Sequence, residues 1–206
     1  AGFPLEFSDE ALEEAARISE TITTAEIDSR NDFRNTWTIT IDPFNARDFD
    51  DALSLRYLDG VWVEVGVHIA DVSHYLEAGT SLDEDAYERA TSVYLPDRVL
   101  PMLPEHLSNV LCSLRPKEDK LTFSAVFEMH SDTGACRKTW FGKTVIHSDR
   151  RFTYEEAQQI IETGEGDHSK EILLLNRMAR QLRAQRFANG AINFSSQEVR
   201  FQLDEQ

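Results

Sequence analysis

Any fold of this chain must satisfy one constraint, which lies between Trp37 and Leu55, where two strand-like segments bracket a run of carboxylates. Trp37-Thr38-Ile39-Thr40-Ile41 runs in and Ala52-Leu53-Ser54-Leu55 runs out, both with the alternation of half-buried strands. Between them Asp42, Asp48, Asp50 and Asp51 fall within ten residues. Two like charges about 4 Å apart repel by about 1 kcal/mol in water and about 4 kcal/mol at an effective dielectric near 20. Fixing four of them beside a core therefore requires a compensating feature. A solvated acidic turn is one reading; a divalent cation is the other, because Mg²⁺ takes carboxylate oxygens and keeps watered positions for a phosphate.

In a strictly extended chain Asp48 and Asp50 point one way and Asp51 the other, so convergence on one site predicts a loop or a distorted strand end. Pro43 and Asn45 favour such a loop. A calcium EF-hand loop needs ligands at alternate positions, a central glycine and a terminal glutamate, and that spacing is missing.

The composition of the 206 residues is that of a globular chain of one or two domains. The two cysteines, Cys112 and Cys136, have no metal-ligand spacing and read as small buried residues or free thiols of a reducing interior. Neither a signal-peptide pattern nor a long apolar run is seen, which gives a cytoplasmic expectation with no membrane partner. A net charge of −16 argues against general polyanion binding, so any nucleic acid has to be held locally or by parts outside this sequence. Lys170, Arg177, Arg180, Arg183 and Arg186 form the one late basic cluster.

Around the acidic run the elements read in order. Ser8 caps a first helix, and a polar lead-in through Arg34 follows, with Arg30 and Arg34 expected in surface pairs. Asp59-Gly60 joins two strands, the second spanning Val61 to Ala70 with one aliphatic and one mixed face. His68 and Asp71 at its end read as structural more readily than as binding residues. Ser81 with Glu84 predicts a capping box, and Thr153 with Glu156 a second. The proline-rich span Thr91 to Pro104 predicts an ordered loop on the body. Strands follow over Leu121–Met129 and Trp140–Ile146, a helix over about Ser169–Phe187 ended by Asn189-Gly190, and strands over Ala191–Phe194 and Val199–Leu203. These elements add up to an α+β fold, a mixed, largely antiparallel sheet flanked by helices.

The stretch Ile41-Asp42-Pro43-Phe44-Asn45-Ala46-Arg47-Asp48-Phe49-Asp50-Asp51-Ala52-Leu53 closely resembles the acidic signature of the ribonuclease II/ribonuclease R family, the RNB catalytic domain. Val65 to Ser73, Tyr94-Leu95-Pro96 with Pro101 to Pro104, Leu111-Cys112-Ser113-Leu114 and Gly190 to Phe194 agree in the same order, with wording nearer to ribonuclease R. The resemblance implies a processive 3′→5′ exoribonuclease that hydrolyses single-stranded RNA to nucleoside 5′-monophosphates with Mg²⁺, Mn²⁺ serving in its place. It makes Asp42, Asp48, Asp50 and Asp51 the metal-site aspartates. Tyr94 matches an aromatic at the 3′-terminal nucleotide, and Phe194 one that stacks on a terminal base. It also implies a lead-in over 1–35 and the N-terminal portion of the RNB domain over 36–206. A downstream arginine-rich motif and flanking cold-shock and S1 domains have no counterpart here, so the expectation is a truncated domain inactive in isolation. Two other readings stand beside it: a non-catalytic RNA-binding relative with the same fold, and a structural Ca²⁺ module.

Overall fold

Strand β4 (Trp62–Ala70) is the middle of a seven-stranded sheet, with residues of both its aliphatic and its mixed face buried. The computed structural model describes residues 2–193 of the chain. On one side of β4 lie β3 (Asp51–Tyr57), β2 (Thr38–Asp42) and the edge strand β9 (Arg150–Thr153). On the other lie β7 (Asp119–His130), β8 (Cys136–His147) and the short β1 (Asn31–Asp32). The pairs β1–β8 and β2–β9 are parallel and the rest antiparallel, so the expected mixed, largely antiparallel sheet is the one found.

Helices cover both faces. Helix α1 (Asp9–Arg17), helix α3 (Ser81–Arg89) and a π-helical turn at His106–Leu111 lie over one, enclosing Ala11, Ala15, Ala52, Ala70, Leu82, Leu107 and Leu114. Helix α4 (Tyr154–Thr163) and helix α5 (Ser169–Ala188) lie over the other, burying Ile39, Phe152, Ile160 and Ile172 beside Leu55, Val63, Met129, Leu174 and Met178. Each Leu, Ile, Val, Met or Phe side chain so buried contributes about 1.5–3 kcal/mol of transfer free energy. Ser8 caps α1, and Thr153 with Glu156 forms the reciprocal capping box of α4, both as the sequence indicates.

Several expectations are corrected. Helix α3 is capped by Thr80 rather than Ser81; the amides of Ser81 and Leu82 instead bond the Glu14 carboxylate of α1 at 3.4 and 2.8 Å. The lead-in contains helix α2 (Thr24–Asp28), and through β1 it joins the sheet. Arg30 makes no surface pair: it is buried, ion-paired to Glu26 at 2.6 Å and Asp71 at 2.8 Å, and donates to the Thr122 and Thr144 carbonyls. Burial along β4 switches face, because α5 covers Val63 and Val65 but not Ile69, which is 48% exposed, while His68 opposite is fully buried. Cys112 is buried, but Cys136 is exposed at the start of β8. The proline-rich span folds into a small hairpin, β5 (Val93–Tyr94) against β6 (Val99–Leu100). Residues 191–193 are irregular; Phe194 and the strand expected over Val199–Leu203 lie outside the described residues.

Candidate active site

The four aspartates sit where β2 and β3 part. The two strands pair only at Thr38↔Ser54 and Ile39↔Leu53, then diverge, and residues 43–50 cross between them without regular structure. Asp42 is thus the last residue of β2 and Asp51 the first of β3, with Asp48 and Asp50 on the loop. A turn closes its first part through Ala46 N–H to the Pro43 carbonyl at 3.0 Å. Its second part is fastened to the core: Phe49 is buried, and the Ser113 hydroxyl donates to the Arg47 carbonyl at 2.7 Å while accepting from the Phe49 amide at 3.1 Å. The Leu114 amide completes the fastening on the Phe49 carbonyl at 2.8 Å.

Asp42 is 8% exposed, and its Oδ2 is buried with no hydrogen-bond partner. Burial pushes its pKa above the ordinary aspartate value and the charges of Asp51 and Asp48 push the same way, while the neighbouring Thr40 hydroxyl and then the Arg151 charge oppose them. Asp50 is raised first by desolvation and then by Asp48, Asp51 and Asp42. The four carboxylates therefore act on one another, although Asp42 and Asp48 alone line the adjacent cavity of about 580 Å³. Asn45, Arg98, Ser108 and Tyr94 also line it.

The β5–β6 hairpin carries Tyr94 over this cavity. The Tyr94 hydroxyl donates to Asp48 Oδ2 at 2.6 Å, and that bond, with desolvation, pushes the phenol up to about 12. Tyr94 nevertheless remains 64% exposed, so its aromatic side chain stands open beside the carboxylates. The hairpin is tied back by Arg89, which donates to the Pro101 carbonyl at 3.1 Å and stacks on Phe7 at 3.6 Å.

All-oxygen donors and an unpartnered buried Asp42 Oδ2 suit a hard divalent cation. Among the described residues no three His, Cys, Asp or Glu side chains have closed to a metal-holding arrangement, and one Asp48 oxygen is engaged by Tyr94. Sequence reasoning assigned no role to two residues here. Ser113 fell within a segment that carried the resemblance, but its hydrogen bonds span 64 and 66 positions and leave no periodic trace. Arg151, on β9, donates to the Pro43 and Phe44 carbonyls, the latter at 2.9 Å, across 107 positions.

The RNB domain model matches residues 30–206. The chain belongs to the RNB domain family. This RNB chain is 45% identical over 214 aligned residues to DIS3-like exonuclease 2 of Schizosaccharomyces pombe, covering 97% of this chain and 23% of that protein. It is 41% identical to ribonuclease R 2 of Lactococcus lactis, covering 98% and 32%. It therefore spans about a quarter to a third of those curated relatives. Among solved structures, Mycoplasma genitalium RNase R in complex with double-stranded RNA superposes with TM-score 0.88 at 27% identity, over 98% of this chain and 37% of that one. Yeast Ssd1, a pseudonuclease, superposes with TM-score 0.73 at 25% identity, over 82% and 21%. Among the described residues no helix is long and apolar enough to cross a membrane.

Proposed function

We propose that this chain supplies the metal-binding aspartates of a processive 3′→5′ exoribonuclease that hydrolyses single-stranded RNA to nucleoside 5′-monophosphates. The observation that carries the reading is the mutual charge crowding of Asp42, Asp48, Asp50 and Asp51 around an unsatisfied, buried Asp42 oxygen, beside a cavity roofed by Tyr94. In this reading the four aspartates would hold Mg²⁺, with Mn²⁺ as a substitute, and the ion would supply an activated water and charge neutralisation at phosphorus. The protein's own part is placement. Tyr94, with its hydroxyl tethered to Asp48, offers its ring to the terminal base, a contact worth about 1–3 kcal/mol without regard to sequence. Arg47, which lines the same cavity, is placed to draw in a phosphate despite the acidic chain, whereas Arg98 there is held by Asp97. Phe194 is assigned the second stacking position.

The test is Asp51→Asn in the complete polypeptide, assayed for RNA binding and for mononucleotide release. Retained binding with lost hydrolysis is expected; hydrolysis at the parent rate would defeat the reading. A second reading, a non-catalytic RNA-binding relative, is favoured by the open arrangement of the carboxylates and by the likeness to a pseudonuclease. In that case Asp51→Asn leaves RNA binding intact and no hydrolysis is measured in either protein.

A further inference from the structure

The acidic loop has to hold carboxylates that repel one another, yet its first half, Pro43 to Ala46, has only one internal hydrogen bond, from Ala46 to Pro43. The side chain that restrains it comes from the edge strand beside β2. Arg151 sits on β9 beside Thr40 of β2, two residues before Asp42, in a register fixed by four consecutive parallel pairs from Ile39↔Arg150 to Asp42↔Thr153. Its Nη2 donates to two successive carbonyls of the loop, Pro43 and Phe44. The guanidinium lies 5.4 Å from the Phe49 ring, at the other end of the loop, which Ser113 and Leu114 fasten to the core. Arg151 therefore touches both ends of the segment that joins Asp42 to Asp48. In a chain of net charge −16 a lone arginine beside carboxylates ordinarily pairs with one; this one turns its Nη2 to the main chain and leaves its buried Nε without a partner. One nitrogen, Nη2, serves both carbonyls, and the planar guanidinium can at the same time face the Phe49 ring, which a lysine ammonium cannot do.

We infer that Arg151 is a positioning residue for the acidic loop: by anchoring the Pro43 and Phe44 carbonyls to the β9 edge, it sets the approach of Asp42 to Asp48 across the cavity. It touches neither cation nor RNA in this role. The inference rests on the hydrolytic reading above, so it is tested with readouts that separate the two.

The complete polypeptide is compared as wild type, Arg151→Met, Arg151→Lys and Asp51→Asn. Amide hydrogen exchange over residues 44–49, measured without metal or RNA, is expected to accelerate at least about tenfold in Arg151→Met, while the β4 and β7 amides stay protected. RNA affinity in EDTA is expected within about threefold of wild type. The single-turnover rate on a single-stranded oligonucleotide should fall about 10–100-fold, with a matching rise in the Mg²⁺ concentration giving half the maximal rate, as for other residues that orient metal ligands. Arg151→Lys, which keeps the charge and one carbonyl contact, should recover part of both losses. Unchanged loop exchange in Arg151→Met, or a rate loss that only follows the unfolded fraction, overturns the inference. Full hydrolysis by Asp51→Asn would instead sink the hydrolytic reading, leaving the exchange measurement to decide the role of Arg151.

Discussion

Two polar regions share strand β3, and they are built on opposite principles. At His68 the sheet buries a fully satisfied neutral network: Nδ1 meets the Ser124 hydroxyl at 2.6 Å, Nε2 meets Ser54 at 2.8 Å, and Thr122 and Thr144 extend the chain of hydroxyls. Phe33 closes it edge-on at 5.3 Å. Around Asp42 and Asp51, at the ends of neighbouring strands, carboxylates crowd together and a buried oxygen has no partner. Buried polar groups are normally paired, because an unpaired one costs about 1–3 kcal/mol. The His68 network stabilises the sheet; the acidic loop draws on that stability. A place where local rules are broken, on a scaffold that elsewhere obeys them, is where function is to be sought.

The contrast can be sharpened by substitution, and the largest effect is expected at the loop. Asp51→Asn should lower the rate of RNA hydrolysis by about 100-fold or more, equivalent to about 3 kcal/mol or more of transition-state stabilisation, while the melting temperature holds or rises. A large fall in melting temperature would place Asp51 with the structural region instead.

His68→Ala should do the reverse, costing about 3 kcal/mol in urea unfolding through a cavity and orphaned Ser54 and Ser124 hydroxyls. The same histidine gives a pH signature. Burial lowers its pKa to about 4 from an ordinary 6.5, so the folded state binds fewer protons than the unfolded between those values. Stability from this group is complete above pH 6.5 and falls as the pH drops towards 4, by about 3 kcal/mol in all. The variant should lack that segment of the stability curve.

A smaller loss is expected from Gly66→Ala. A β-carbon there would meet the Ser54 hydroxyl and lie 2.5 Å from His68 Nε2, displacing the bond between them. Overpacking of this kind costs about 1–3 kcal/mol, and the accompanying rise in the His68 pKa is measurable by NMR titration.

The smallest effect has the opposite sign. Because the Asp42 pKa is raised in the folded state, its ionised form costs stability above that pKa and nothing below the unfolded value. Asp42→Asn should therefore melt about 2–4 °C higher than wild type at neutral pH without divalent ions. The gain should shrink as the pH falls through the raised Asp42 pKa. A lower melting temperature at neutral pH would mean that Asp42 is structurally satisfied after all.

The divergence between what the sequence disclosed and what it hid follows from distance along the chain. Local patterns survive in it: the Asp59-Gly60 turn, the Thr153–Glu156 capping box, the alternation of β2 and β3, and the carboxylates at their junction. Features set by a partner far away do not. The Glu14 cap on α3, the burial of Arg30 under the sheet, and the Arg151 anchor depend on residues 41 to 114 positions apart. The change of buried face along β4 is of the same kind. Alternation shows that two faces differ, but only the position of α5 decides which is covered at each end.

The most direct test of a loop built to grip a cation is the melting temperature of wild type and Asp42→Asn, each measured with and without excess Mg²⁺. At about 100 times the dissociation constant a bound ion adds about 2.7 kcal/mol, so wild type should gain roughly 5–10 °C and Asp42→Asn far less. Equal shifts in both proteins, or none in wild type, would contradict it.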